Sequence, residues 1–371
     1  MSLFQLPRKI YFQRDIFDSL GEILRKEGIK KVLVVTDEHI FSLFGERLNR
    51  SLQGLEFEVF KEVLPEPELN YIEKSAQKFE KKGYDAIVAF GGGSVIDFAK
   101  SLAIKVSDPG MQLKNVNPFE PLNLRIKLIA IPTTSGTGSD VSFGIVLSNE
   151  KTKLALGNYE LVPTIDILDS SLTPTDKRII VATGIDAFVH SFEAIASNNS
   201  SIFTDALAER AIETIYHNMP KAIDNDESSK DLMHLSATLA GIAFSNSGTA
   251  IAHALGHSFG STFHATHGTS VGLFLIPSII FNSQDNQTRE KYIRVARIID
   301  ADGVEGLIES IRAFYSMVGQ PHRVSELGID REQYMSKIEE LVTKAMQDSE
   351  IAFNPVIAGE EDLRKIFIEN F

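Results

Sequence analysis

The stretch Asp85-Ala-Ile-Val-Ala-Phe-Gly-Gly-Gly-Ser-Val-Ile-Asp97 decides the fold. Its opening apolar run is too short for a buried helix and stops at glycine, so it predicts a strand covered on both faces. The glycines and Ser94, with the helical run 95–106 beyond them, predict a tight strand-to-helix turn. Such a turn presents backbone N–H groups and a helix N-terminus to a diphosphate, and any side chain there would hold the phosphates away. A glycine cluster is equally an ordinary turn, and on this stretch alone both readings stand.

Working outward, Lys31-Val-Leu-Val-Val-Thr36 and 57–63 are further buried-strand runs, and Ile72, Ala76 and Phe79 recur at helical spacing among charges. Downstream, 127–131 is a fourth strand and runs into Pro132-Thr-Thr-Ser-Gly-Thr-Gly-Ser-Asp140. Strands alternating with helices imply a Rossmann-like parallel α/β sheet, which binds ligands beyond its strand ends. The hydroxyls of Thr133, Thr134 and Thr137 lie in such a loop. Asp37 closes the first of these strands, where a carboxylate either accepts hydrogen bonds from an adenosine ribose and repels a 2′-phosphate, or caps a helix. In the usual dinucleotide fingerprint the acid follows the glycines by about twenty residues. Here it precedes them, which implies a different doubly wound family.

From about residue 178 long helical patterns take over, and eight of the nine histidines fall in this half. The division expected is an α/β dinucleotide-binding domain over 1–179 and an all-α metal-binding and substrate domain over 180–371. Helices are predicted over 205–223, 230–244 and 289–299. Asp186 and His190 are four residues apart, as are His253 and His257, and that spacing places each pair on one helix face. His264 and His267 follow closely. An aspartate with several imidazoles suits a four-ligand site for a divalent ion; either pair alone is also an ordinary surface hydrogen bond.

Composition narrows the functions. There is no cysteine, so a metal must be held by nitrogen and oxygen. Fifty Asp and Glu against 37 Lys and Arg give a net charge of −13, which disfavours nucleic acid and anionic membranes as partners. The N-terminus shows no apolar signal segment, and the apolar run 271–280 is too short to span a bilayer, so a cytoplasmic protein is expected.

Four ordered motifs, Gly91-Gly-Gly-Ser-Val-Ile-Asp97, Pro132 to Asp140, Thr183-Gly-Ile-Asp-Ala-Phe-Val-His190 and Ala252-His-Ala-Leu-Gly-His-Ser-Phe-Gly260 leading to His267-Gly268, resemble those of the iron-containing (group III) alcohol dehydrogenases. The resemblance runs from about residue 7 to about 280 and implies a dehydroquinate synthase-like fold. It implies that Asp186, His190, His253 and His267 hold Fe2+, with Zn2+ as the alternative. It also implies that Asp37, Gly92, Gly93, Ser94, Asp97, Thr133, Thr134, Thr137 and Lys153 contact NAD rather than NADP. Asp97 has a second reading as a first-turn helix acid. His257 becomes the candidate relay for the alcohol proton, or a hydrogen bond that fixes a ligand; His264 matches nothing in the pattern. The reaction implied is hydride transfer between NAD(H) and a primary alcohol or aldehyde, in a homodimer. A glycerol dehydrogenase-like enzyme and a dehydroquinate synthase-type lyase are the rivals. The departures are Asp140 for glutamate, Ser170 and Thr266 for prolines, and Glu66-Pro67 for Asn-Pro.

Overall fold

The strand ending at the glycines, β4 (Ala86–Gly91), is the hub of a six-stranded parallel sheet in the order β1 (Lys9–Phe12), β8 (Ile165–Leu168), β5 (Lys127–Pro132), β4, β2 (Lys31–Val35) and β3 (Glu56–Phe60). The computed structural model describes residues 3–65, 67–149 and 152–371, and the side chains of all of these except 149, 152 and 153. Two units result, Met1–Pro174 and Thr175–Phe371.

The first unit contains β1 (Lys9–Phe12), α1 (Leu20–Lys26), β2 (Lys31–Val35), α2 (Glu38–Ser51), β3 (Glu56–Phe60), α3 (Leu69–Ala76), β4 (Ala86–Gly91), α4 (Gly93–Ser107) and β5 (Lys127–Pro132). An antiparallel hairpin, β6 (Gly144–Asn149) with β7 (Thr152–Gly157), and β8 (Ile165–Leu168) complete it. Strand alternation divides its core: Val32, Val34, Val88 and Phe90 pack on one face, and Leu33, Val35, Ile87 and Ala89 on the other. Both faces are covered, as the continuous apolar runs require. The chain leaves β2 outward to β3, then returns across β2 to β4. The strand order therefore reverses between β2 and β4.

An ionisable group lies deep inside this core. Asp166, on β8, is fully buried, and burial together with neighbouring Asp140 raises its carboxyl well above the ordinary range. Asp140 is itself buried, so this shorter acid, in place of the glutamate expected from the resemblance, is an interior group rather than a surface one.

The second unit is helical: α5 (Lys177–Ala196), α6 (Ile202–Ile223), α7 (Glu227–Ser247), α8 (Ile251–Phe263), α9 (His267–Asn282), α10 (Asn286–Ile298), α11 (Gly303–Val318), α12 (Arg331–Met335), α13 (Ile338–Gln347) and α14 (Glu360–Glu369). The three predicted helices here are α6, α7 and α10. α6 and α7 begin about three residues early because Ser201 and Asp226 cap them, each side chain accepting a backbone N–H of the first turn. α5 is long and apolar enough to cross a membrane by length and composition, but 83% of its apolar window is buried inside the protein. It is the central core helix, with Ile185, Phe188, Phe192 and Ile195 at under 2% exposure.

Candidate functional site

In the first unit, three loops follow three adjacent parallel strands. Asp37 follows β2, Gly92 follows β4, and Thr133 follows β5, with Gly91 directly opposite Pro132 in the register. These are the carboxyl ends at the reversal point, where doubly wound sheets take ligands. The glycine turn and the threonine loop touch. A Cβ at Gly93 would stand 3.0 Å from the Thr137 side chain, and one at Gly92 3.6 Å from Thr134. Gly92 is the N-cap of α4, whose first-turn N–H groups, including that of Ser94, begin the cradle. Thr134 Oγ1 is buried with no hydrogen-bond partner, a polar atom awaiting an acceptor or donor.

Other residues expected at this end serve the scaffold as well. Asp37 Oδ1 accepts the Ile40 N–H at 2.8 Å, so the capping reading holds for that oxygen. Asp97 is buried; its Oδ2 accepts the Val146 N–H at 2.9 Å and its Oδ1 has no partner. Burial raises its carboxyl above the ordinary range against the pull of Lys100. Lys100, also buried, donates to the carbonyls of Ser142 and Gly144 at 2.8 Å each, and burial lowers its ammonium to about 8. Together Asp97 and Lys100 tie α4 to the hairpin. Lys153 lies opposite Ser148 on β7, its side chain outside the described residues, as is Glu66.

The second unit gathers the histidines. Asp186, His190, His253 and His267 each offer one ligand atom, and these atoms all lie within 4.8 Å of one another. Asp186 Oδ1 is the centre: His267 Nε2 is 3.1 Å away, His253 Nε2 3.7 Å and His190 Nε2 3.9 Å. Neither Asp186 Oδ1 nor His253 Nε2 makes a hydrogen bond, although both are buried. A buried carboxylate with three converging imidazole nitrogens and orphaned donor atoms fits a divalent cation, and with no thiolate in the set it fits Fe2+ and Zn2+ alike.

Electrostatics agree. Burial would raise Asp186, but the imidazoles that face it together hold it well below the carboxylate range, so it is the fixed anion of the cluster. Burial drives His190 down to about 3, which keeps its imidazole neutral and able to ligate. Its ring is stacked between Phe244 at 4.2 Å and His253 at 4.5 Å. Burial also opposes protonation of His253, but Glu193 and Asp186 overcome it and lift the imidazole to about 10. A cation held beside Asp186 would take the place of that proton.

Glycines bring the three helices together. A Cβ at Gly268 would meet the Ala182 carbonyl at 1.8 Å, and one at Gly256 would meet Val271 Cα at 2.7 Å. α9 thus lies on the backbone of α5, and α8 on that of α9, at distances that only glycine permits. His264 ends α8 in the left-handed region (φ 56°), and Thr266 is the N-cap of α9. The first of these is a turn residue rather than a ligand.

Two acids that the sequence reading missed orient this site. Glu193 lies seven residues after Asp186 on the same face of α5; its Oε2 meets His253 Nδ1, and its Oε1 accepts the Ala252 N–H. Its signal was a charged residue in register with Asp186 and His190 on an otherwise apolar helix. Asp348 accepts from His257 Nδ1 at 2.8 Å and reaches the site from the end of α13, with no local signal. His257 is stacked on His267 at 5.2 Å. Their side chains are 30% and 38% exposed, against 3% for Asp186, so the cluster opens on the side of these two rings. Of the phenylalanines near the motifs, Phe188 is core, packed on Phe192 and Phe314, while Phe143 packs at a tilt against Tyr159.

Comparison with known proteins places this arrangement. Residues 7–170 match the model of the iron-containing alcohol dehydrogenases, and 180–371 match the C-terminal model of the Fe-containing alcohol dehydrogenase family. The chain is 32% identical to an alcohol dehydrogenase of Thermococcus barophilus over the full length of both. It is 31% identical to an NADPH-dependent butanol dehydrogenase of Clostridium saccharobutylicum, covering 99% of this chain and 97% of that one. The solved structure of an iron-containing alcohol dehydrogenase from Thermococcus thioreducens superposes with a TM-score of 0.92 at 31% identity, covering 99% of each chain. With both halves matched and the fold shared end to end, the chain belongs to the iron-containing alcohol dehydrogenase family.

Proposed function

We propose that the chain interconverts a primary alcohol and its aldehyde by hydride transfer to and from NAD(H), with Fe2+, or Zn2+ in its place, held by Asp186, His190, His253 and His267. The observation that carries this reading is the buried cluster around Asp186 Oδ1, whose donor atoms are left without hydrogen bonds. The bound cation would act as a Lewis acid toward the alcohol or carbonyl oxygen. The chain does the rest. Asp186 supplies the negative charge, and His190 and His253 are walled off from water at 6% and 3% side-chain exposure. His257 has Nδ1 held by Asp348, which leaves Nε2 on the open side to take up or deliver the alcohol proton. In the first unit, Gly92, Gly93, Ser94, Thr133, Thr134 and Thr137 cradle the diphosphate. Asp97 lines the nicotinamide end in this reading, and Lys153 is a lysine that reaches the cofactor.

The same proposal gives the chain a small alcohol or aldehyde as its partner, no nucleic acid or membrane, and a cytoplasmic location. The cysteine-free composition and the net charge of −13 support it. The homodimer rests on family resemblance alone.

The test is metal analysis of anaerobically purified protein, coupled to NADH oxidation with short aldehydes before and after chelation. About one metal per chain and chelator-sensitive turnover are expected. Undiminished activity in metal-free protein would remove the proposal.

Cofactor choice is assigned to Asp37, because a carboxylate at the ribose end of β2 repels a 2′-phosphate. Asp37→Ser keeps the helix cap and deletes the charge. The ratio of kcat/KM for NADPH over NADH is expected to rise on the order of tenfold, equivalent to about 1.4 kcal/mol. An unchanged ratio in steady-state kinetics would clear Asp37 of this role.

A further inference from the structure

We infer that Glu193 is a positioning residue that sets the tautomer of His253, and so sets how tightly this chain holds its metal. The inference rests on the metal-centre reading above and extends it to a residue outside the ligand set. Glu193 is 3% exposed on α5, in one stripe with Asp186 and His190. Its two oxygens are divided. Oε1 faces the backbone N–H groups of Ala252, and at 3.4 Å of His253, while Oε2 meets His253 Nδ1.

A backbone N–H is a donor under all conditions, so the oxygen facing it must accept. A carboxylate accepts on its other oxygen too, so His253 must donate from Nδ1. In the neutral ring the lone pair then lies on Nε2, the nitrogen 3.7 Å from Asp186 Oδ1 that has no hydrogen bond. The contact also aims the ring, since it joins the side chain to the first turn of its own helix. Carboxylates in such positions change metal affinity by about 10- to 100-fold.

Glu193→Gln tests this because the amide cannot serve both partners. With its oxygen on the Ala252 N–H, its NH2 faces His253 Nδ1 and forces the proton onto Nε2, removing the lone pair needed for a metal. With the amide flipped, two donors meet at the backbone. A role in packing alone would leave this nearly isosteric variant unharmed.

The experiment titrates metal-free wild type, Glu193→Gln and Glu193→Asp with Co2+, following the visible spectrum in competition with a chelator. Glu193→Gln is expected to bind Co2+ about 10- to 100-fold more weakly. Its circular dichroism and NADH affinity should stay as in wild type, and Glu193→Asp should recover part of the loss. Wild-type Co2+ affinity in Glu193→Gln would overturn the inference. A wild type that takes up no Co2+ would instead overturn the metal-centre reading itself. If Glu193→Gln does not fold, nitrogen-15 NMR of histidine-labelled, Zn2+-loaded wild type decides. A His253 Nδ1 proton shifted strongly downfield by a carboxylate acceptor is expected, and an Nδ1 proton at the shift of an imidazole without such a partner would overturn the inference.

Discussion

Exchange of Asp186 for Asn is expected to strip the chain of its metal and lower kcat/KM with an aldehyde by roughly a thousandfold or more, several kcal/mol of transition-state stabilisation. The geometry gives the reason. Asp186 Oδ1 is the only anionic donor in the set, and each of the three imidazoles faces it at 3.1 to 3.9 Å. Asn preserves the volume but presents a neutral amide, half of it a donor, to nitrogens that need an anion between them. The imidazoles that face it hold the carboxyl well below its ordinary range, so it is ionised throughout neutral pH and no acidification within that range mimics the variant. The loops proposed to hold the dinucleotide belong to a different unit, so NADH affinity should survive. Metal content by mass spectrometry and NADH oxidation on one preparation check both halves of the statement. Stoichiometric metal with intact turnover in the Asn variant would mean that the ligand set is misassigned.

A single methyl group at Gly268 is expected to do comparable damage without touching a ligand. Its Cβ would sit 1.8 Å from the Ala182 carbonyl, which belongs to the α5 backbone and cannot rotate aside. α9 must therefore lift from α5 by an ångström or more, and His267, the preceding residue, leaves its place 3.1 Å from Asp186. Overpacking of this kind costs about 1 to 3 kcal/mol and sometimes more. Gly268→Ala should show both a lower Tm and weaker Co2+ binding. Gly306→Ala is the control, since its Cβ would meet nothing closer than 3.7 Å inside α11, where alanine favours the helix. Equal metal affinity in Gly268→Ala and wild type would show that the α5–α9 contact does not place His267.

Much of this was legible in the chain. Continuous apolar runs predicted β2, β4 and β5 to within a residue at each end, because a strand buried on both faces has no polar position to hide. The strand predicted over 57–63 closes at Phe60, since the backbone beyond it bonds to Thr36 rather than continuing the ladder. Other elements carried too little signal. β1 and β8 are four residues each, and β8 carries the buried Asp166, so neither reads as an apolar run. Both are strands because they complete the sheet beyond β5. The unit division falls at Pro174, just ahead of the start of α5, whereas the change of pattern in the sequence becomes visible only near residue 180.

By itself the sequence determined the residue types and their local phase: which side chains share a helix face, where glycine ends a strand, and that any metal here would be held without a thiolate. Tertiary structure alone decided how those faces meet. Asp186 and His253 are 67 residues apart in sequence, and His257 and Asp348 are 91 apart, so no periodicity relates them. They converge because Gly256 and Gly268 let three helices touch backbone to backbone, and because buried acids must find donors. Spacing along a helix sets direction only relative to that helix, whereas close packing between helices turns those directions toward one point.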